Sequence, residues 1–222
     1  MKSTILLITL SLFALTSLAV DETIEPELKY KLIINGKEYA VSTVTSTLIE
    51  GDFSNPTIRL VSEKYRLFDY GKIQFKYPAR MTWEADLRDE KSRSWTLTGN
   101  DVTVMYAITP HDMSLDEWAD NFADRFGKER VLITQTKLML SGKEYEGRNL
   151  LVKMFGESMR LEVYTLPTES GSRVLTIQDG RQDKRAKSLE YETVVNMLSH
   201  SFVDKMKFNQ RIQSIADSDR SE

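Results

Sequence analysis

Cysteine is absent from the 222-residue chain, histidine occurs twice, and only one long apolar run is present. Without cysteine there can be no disulfide, no thiol nucleophile and no thiolate metal site. His111 and His200 are the only imidazoles, so the commonest acid–base side chain is scarce. No G-x-S-x-G elbow, His-x-x-Glu-His pair, Asp-rich calcium loop or phosphate-cradling glycine loop occurs. Charge of one sign is lacking too: 30 Lys and Arg stand against 33 Asp and Glu, a net charge of −3. The densest basic run, Arg181, Lys184, Arg185 and Lys187, is interleaved with Asp179 and Asp183. A nucleic-acid surface clusters its cations, so no nucleic-acid partner is expected.

The apolar run lies at the N-terminus. Lys2 precedes Ile5–Leu15, which only Thr9 and Ser11 interrupt, and Ser17-Leu18-Ala19 places small residues before Val20. That is the three-part pattern of a secretory signal peptide, and it predicts cleavage after Ala19. Ile5–Val20 is shorter than the roughly 20 apolar residues that span a bilayer, and no second such run follows. A secreted or periplasmic protein is expected, with no stable membrane insertion after signal cleavage.

Beyond residue 19 the text divides into an N-terminal β-rich segment (20–69), a main domain (70–203) and a polar tail (204–222). Asn35-Gly36 between Leu28–Ile34 and Glu38–Val41 predicts a hairpin, because both central residues of a type I′ turn need positive φ. Thr57–Val61 and Tyr65–Phe68 read as a second hairpin across 62–64. In Gly71–Tyr77, Ile73, Phe75 and Tyr77 alternate with polar residues, which predicts a half-buried strand opening the main domain. Strands follow at 95–97 and 102–108. Ser114 and Glu117 form a capping box, and Leu115, Trp118, Ala119, Phe122 and Phe126 follow helical spacing up to Gly127. Four strands (130–137, 148–155, 159–166 and 173–178) and a helix over 188–202 complete the pattern. The expected class is α+β: an antiparallel sheet flanked by two amphipathic helices, an α/β/α sandwich, with an N-terminal β-hairpin segment.

The entry Gly71-x-x-x-Phe75-x-Tyr77-Pro78, the aromatic-rich helix at 114–126, the strand meander and the closing helix after Asp179 resemble the PsbP-like and Mog-type α/β/α sandwich family. The resemblance covers about residues 70–203. It implies a non-enzymatic adaptor or accessory role, since members serve as extrinsic photosystem II subunits, as binders of a small GTPase and as bacterial envelope proteins. No residue here matches a functional motif of the first two groups.

Candidate site residues are few. Trp83 and Trp95 bracket the charged segment 84–94 and, with Tyr106, are candidates to line a ligand groove, although ordinary core residues of a helix-covered sheet are the favoured reading. His111 and Asp112 sit between a strand end and the capped helix, where functional residues gather. Three functions remain open. The first is a non-enzymatic secreted or periplasmic accessory protein that binds a protein partner. The second is a carrier of a small apolar or lipid ligand, held near Trp83, Trp95 and Trp118. The third is a hydrolase built on His111 and Asp112. No cofactor and no metal are expected.

Overall fold

The computed structural model describes residues 22–41, 46–51, 53–154, 156–180 and 187–206. The predicted signal peptide, most of the basic run (181–186) and the tail beyond 206 lie outside the described residues. Three strands come first: β1 (Tyr30–Ile34), β2 (Lys37–Val41) and β3 (Ile58–Ser62). Next are β4 (Tyr65–Tyr70), β5 (Ile73–Pro78), β6 (Thr82–Asp86), β7 (Arg93–Thr98) and β8 (Val102–Thr109). Helix α1 (Leu115–Phe126) precedes β9 (Val131–Leu140), β10 (Lys143–Met154), β11 (Glu157–Leu166) and β12 (Ser172–Asp179). Helix α2 (Leu189–Ser201) and the short β13 (Val203–Asp204) close the described chain.

These strands form three antiparallel sheets, ordered β2-β1-β3, β6-β7-β8-β12-β11-β10-β9 and β13-β5-β4. The expected α/β/α sandwich, one sheet flanked by two helices, is therefore incorrect: the protein is mostly β. Helix α1 covers one face of the seven-stranded sheet, setting Ala119, Phe122 and Ala123 against Leu150, Val152, Leu161, Val163 and Val174. The opposite face is covered by the β4–β5 hairpin together with α2, which share one core with Trp95, Tyr106, Tyr164 and Leu175. The physical reason lies in Ile73, Phe75 and Tyr77. Their alternation establishes a strand with one buried side but cannot say which sheet the strand joins. β5 pairs with β4 and β13 in a second layer rather than opening the main sheet.

Two further pairings differ from expectation. β3 pairs with β1, and β4 pairs with β5, so the hairpin expected between 57–61 and 65–68 does not form. The segment 84–94 is half strand, because β6 runs to Asp86 and pairs with β7. Elsewhere the local signals operate as read. Asn35 and Gly36 take φ of 49° and 83°, Ser114 and Glu117 close the capping box, and Gly127 ends α1 at φ 86°.

The first sheet is poorly covered. Leu32 faces Tyr39 on β2 and Leu60 on β3, and Ile34 faces Ile58. Ile58 and Leu60 are each 60% exposed, although a fully buried side chain of that size is worth about 1.5–3 kcal/mol. Strands β1–β3 pack chiefly on one another.

Candidate functional site

At the centre of the larger core, Trp95 on β7 lies between Tyr70 and Tyr106, at 6.1 and 5.7 Å between centroids and 15° from coplanar in both cases. Phe68 stands edge-on to all three rings, and Trp83 leans on Tyr70 at 5.9 Å. Trp95 and Tyr106 are buried, and Trp83 is half-buried. These three predicted site residues thus meet in one aromatic block whose rings fill one another's space. Offset stacking and edge contacts add to the burial energy of each ring.

The turn between β4 and β5 rests on this block. Gly71 has φ +57°, and a Cβ there would come within 2.6 Å of the Tyr106 ring, so glycine is required for both dihedral and space. The Tyr106 hydroxyl donates to Gly71 O at 2.7 Å and accepts from Arg173 Nε at 2.9 Å. Burial raises the Tyr106 pKa, with Arg173 pulling against it, so the phenol stays protonated. Arg173, 2% exposed, reaches Asp204, 6% exposed, at 3.1 Å. A buried guanidinium needs such a partner, and Asp204 supplies it from what reads in the sequence as a polar tail.

The chain's N-terminal segment runs over the same block. Trp95 Nε1 donates to Glu22 O at 3.3 Å, and Tyr70 donates its hydroxyl to Ile24 O. The Glu22 carboxylate takes Gly71 N–H at 3.4 Å and Arg93 Nη1 at 2.5 Å, while Glu25 pairs with Arg66. Across β4 and β5 from Arg66, burial pushes the Tyr77 hydroxyl up to about 12, and Arg66 opposes the shift.

His111 and Asp112 are placed differently. Both are exposed, and neither side chain makes a hydrogen bond among the described residues. It is the backbone that is used there: His111 O accepts from Ser172 Oγ at 2.7 Å and from Thr109 Oγ1 at 3.3 Å. An imidazole with no orienting carboxylate has no fixed tautomer. Among the described residues no group of three His, Asp or Glu could hold a metal ion.

Two buried carboxylates escaped the sequence reading. Glu162 on β11, 2% exposed, accepts from the hydroxyls of Tyr164 and Tyr191 and from Lys187 Nζ at 3.0 Å. Lys187 also donates to the Tyr191 hydroxyl at 2.7 Å. Burial first, then the Glu162 charge and hydrogen bonds, drive both tyrosine pKa values far up, so both remain donors. On α2, Glu190 accepts from Arg80 Nε and Nη2 at 3.1 and 2.9 Å, and from the Asp101 and Val102 N–H groups at 2.6 and 3.2 Å. Burial works to raise its pKa, but the Asp101 N–H, Arg80 and the Val102 N–H outweigh it and leave the pKa lowered. Gly99 makes room for this carboxylate, since a Cβ there would stand 2.7 Å from it. The available signal was a strand with both neighbours apolar, Leu161 and Val163, implying that Glu162 and Tyr164 face a second covered side.

No protein-family model matches the chain, and no curated protein matches it either.

Proposed function

We propose that this protein is a non-enzymatic secreted or periplasmic accessory protein that binds a protein partner through the β1–β3 sheet. One observation carries the reading: Ile58 and Leu60, on an edge strand, expose 60% of their surface, beside half-buried Leu32 and Tyr39 and buried Ile34 on the same face. An exposed edge with an apolar face is a template for an added strand, with backbone pairing supplying affinity and apolar pockets supplying selectivity. The ionisable clusters support the same reading from the other side. Glu162, Glu190 and Arg173 are each saturated by donors or a counter-charge, the pattern of groups that hold a fold together. The signal-peptide pattern of residues 1–19 supports the extracytoplasmic location.

A photo-reactive residue at Leu60, in protein exported by its own host, tests the proposal. A discrete protein adduct is expected, lost when Ile58→Asp is added and not formed from exposed Glu129. Absence of an adduct at position 60, or the same adduct from position 129, overturns it.

A further inference from the structure

Strand β3 is the edge of its sheet, and its backbone groups can be assigned one by one. Asn35 N–H donates to Thr57 O at 3.0 Å, and Glu63 N–H donates to Lys29 O at 2.8 Å. Bonded pairs recur at every second residue of an antiparallel ladder, so residues 57, 59, 61 and 63 turn their backbone groups toward β1. Those of Ile58, Leu60 and Ser62 point outward. The side chains divide in the same way, with Ile58 and Leu60 on one face and Arg59, Val61 and Glu63 on the other. An added antiparallel strand therefore bonds to Ile58, Leu60 and Ser62. Its side chains come closest to Arg59, Val61 and Glu63, because non-bonded pairs have the shorter Cα separation, about 4.5 Å.

Charge then decides which strand fits. Arg59 is exposed and Glu63 half-buried, and neither is in an ion pair among the described residues. Lys31, the cation that feels the Glu63 charge, is bonded to Glu38 at 3.2 Å instead. The best partner carries an acid opposite Arg59, a base opposite Glu63 and an apolar residue between them. Read in the antiparallel direction, that is β3 itself. When two identical strands pair with outward backbone facing outward backbone, one residue lies opposite its own copy on a twofold axis. An axis at Arg59 sets two guanidiniums against each other, and an axis at Leu60 sets Arg59 against Val61. An axis at Val61 places Arg59 of each copy opposite Glu63 of the other, with the two Leu60 side chains as diagonal neighbours. Opposite charges directly across a ladder stabilise it, and like charges destabilise it.

We propose that β3 pairs antiparallel with β3 of a second copy of this chain, about an axis at Val61. The two small sheets become one six-stranded sheet, closed by two symmetric Arg59–Glu63 ion pairs. The inference rests on the reading of β1–β3 as a docking edge and names the partner that this reading leaves open. Obligate dimers bury about 2,000 Å² or more, far beyond what one short strand pair covers, so the association is reversible and set by concentration.

Sedimentation velocity on the purified protein, from micromolar to millimolar concentration, tests this at low ionic strength, where exposed ion pairs are least screened. The native protein is expected to dimerise. Arg59→Glu and Glu63→Arg each put like charges opposite one another in both pairs, so each should weaken the dimer about tenfold. An equimolar mixture of the two variants again has opposite charges in both pairs and should recover the native affinity, which misfolding could not imitate. Because the chain has no cysteine, Val61→Cys supplies a single thiol, and the non-bonded pair at the axis lies within disulfide reach. Mild oxidation should link two copies through position 61 and not through Glu129→Cys. A native protein that stays monomeric, single variants that dimerise as it does, or a mixture no better than either variant overturns the self-pairing. A Leu60 photo-adduct that contains only a different protein also overturns it but leaves the docking edge standing, whereas no adduct at Leu60 overturns both.

Discussion

β1–β3 and the seven-stranded sheet are both antiparallel, yet Leu60 stays 60% exposed while Trp95 is fully buried. Pairing is complete in both, with every β1 residue opposite a partner on each side. What separates them is the second layer. The large sheet has α1 on one face and the β4–β5 hairpin with α2 on the other. Among the described residues the small sheet packs chiefly on its own three strands, and so few strands hold poorly without packing against something. Backbone pairing sets the strands, whereas stability comes from what covers them. The main body should therefore carry the global unfolding free energy, and β1–β3 should open at lower cost.

The sharpest way to break this contrast is at Arg173. Arg173→Ala leaves Asp204 charged and buried and strips the Tyr106 hydroxyl of a donor, so a loss of about 3–5 kcal/mol is expected in denaturant unfolding. Arg173→Met combined with Asp204→Leu removes both charges and should recover most of that loss. A double variant as unstable as the single one would show that packing, not the charge, is what matters there. Gly71→Ala comes next. A left-handed φ costs a side chain roughly 1–2 kcal/mol, and a Cβ at 2.6 Å from the Tyr106 ring adds overpacking of about 1–3 kcal/mol. A shift in melting temperature too small to resolve would mean that the turn is softer than its contacts imply.

How much of this was legible in the sequence follows from which interactions are local. The Asn35-Gly36 turn, the Ser114–Glu117 capping box and the four strands after α1 depend on neighbours a few residues apart, and all are visible in the text. The layer to which β5 belongs depends on Phe75 meeting Phe68 at 4.6 Å and on Val203 pairing with Gln74, and sequence spacing shows neither. Trp83, Trp95 and Tyr106 were found as a group, and the structure makes them mutual neighbours of Tyr70 or of one another. Glu162, Glu190 and Arg173 were missed because a charged residue in a strand or a first helical turn reads as solvent-facing. Their partners, Tyr191, Asp101 and Asp204, lie 29, 89 and 31 residues away.

A milder perturbation separates charge from shape at Glu190. Glu190→Gln keeps the volume but weakens the bonds to Arg80 and to two backbone N–H groups, at a cost of about 1–2 kcal/mol at neutral pH. Because the folded-state pKa is lowered, the unfolded chain binds the proton more readily. The contribution is complete above the ordinary glutamate range and is lost as pH falls through the lowered value. The native protein and Glu190→Gln should therefore converge in stability on acidification. Parallel curves down to the acid limit would exclude Glu190 as a source of the pH dependence.

The smallest expected effect is also the one that tests the comparison itself. Ile58→Ser and Leu60→Ser change side chains that are already mostly in water, so global stability should move by no more than about 0.5 kcal/mol. If the β1–β3 face instead packs on the main body in solution, the same changes remove buried area, and the loss should rise to about 1 kcal/mol or more. Amide exchange separates the two outcomes without relying on the mutations. Backbone amides of Leu32 and Leu60 should exchange faster than those of Leu150 and Val174, and in Leu60→Ser only the first group should accelerate. Equal protection of both groups would mean that the small sheet shares the main body's cooperativity, which would leave its exposed apolar edge stabilised by the rest of the fold rather than waiting for a partner strand.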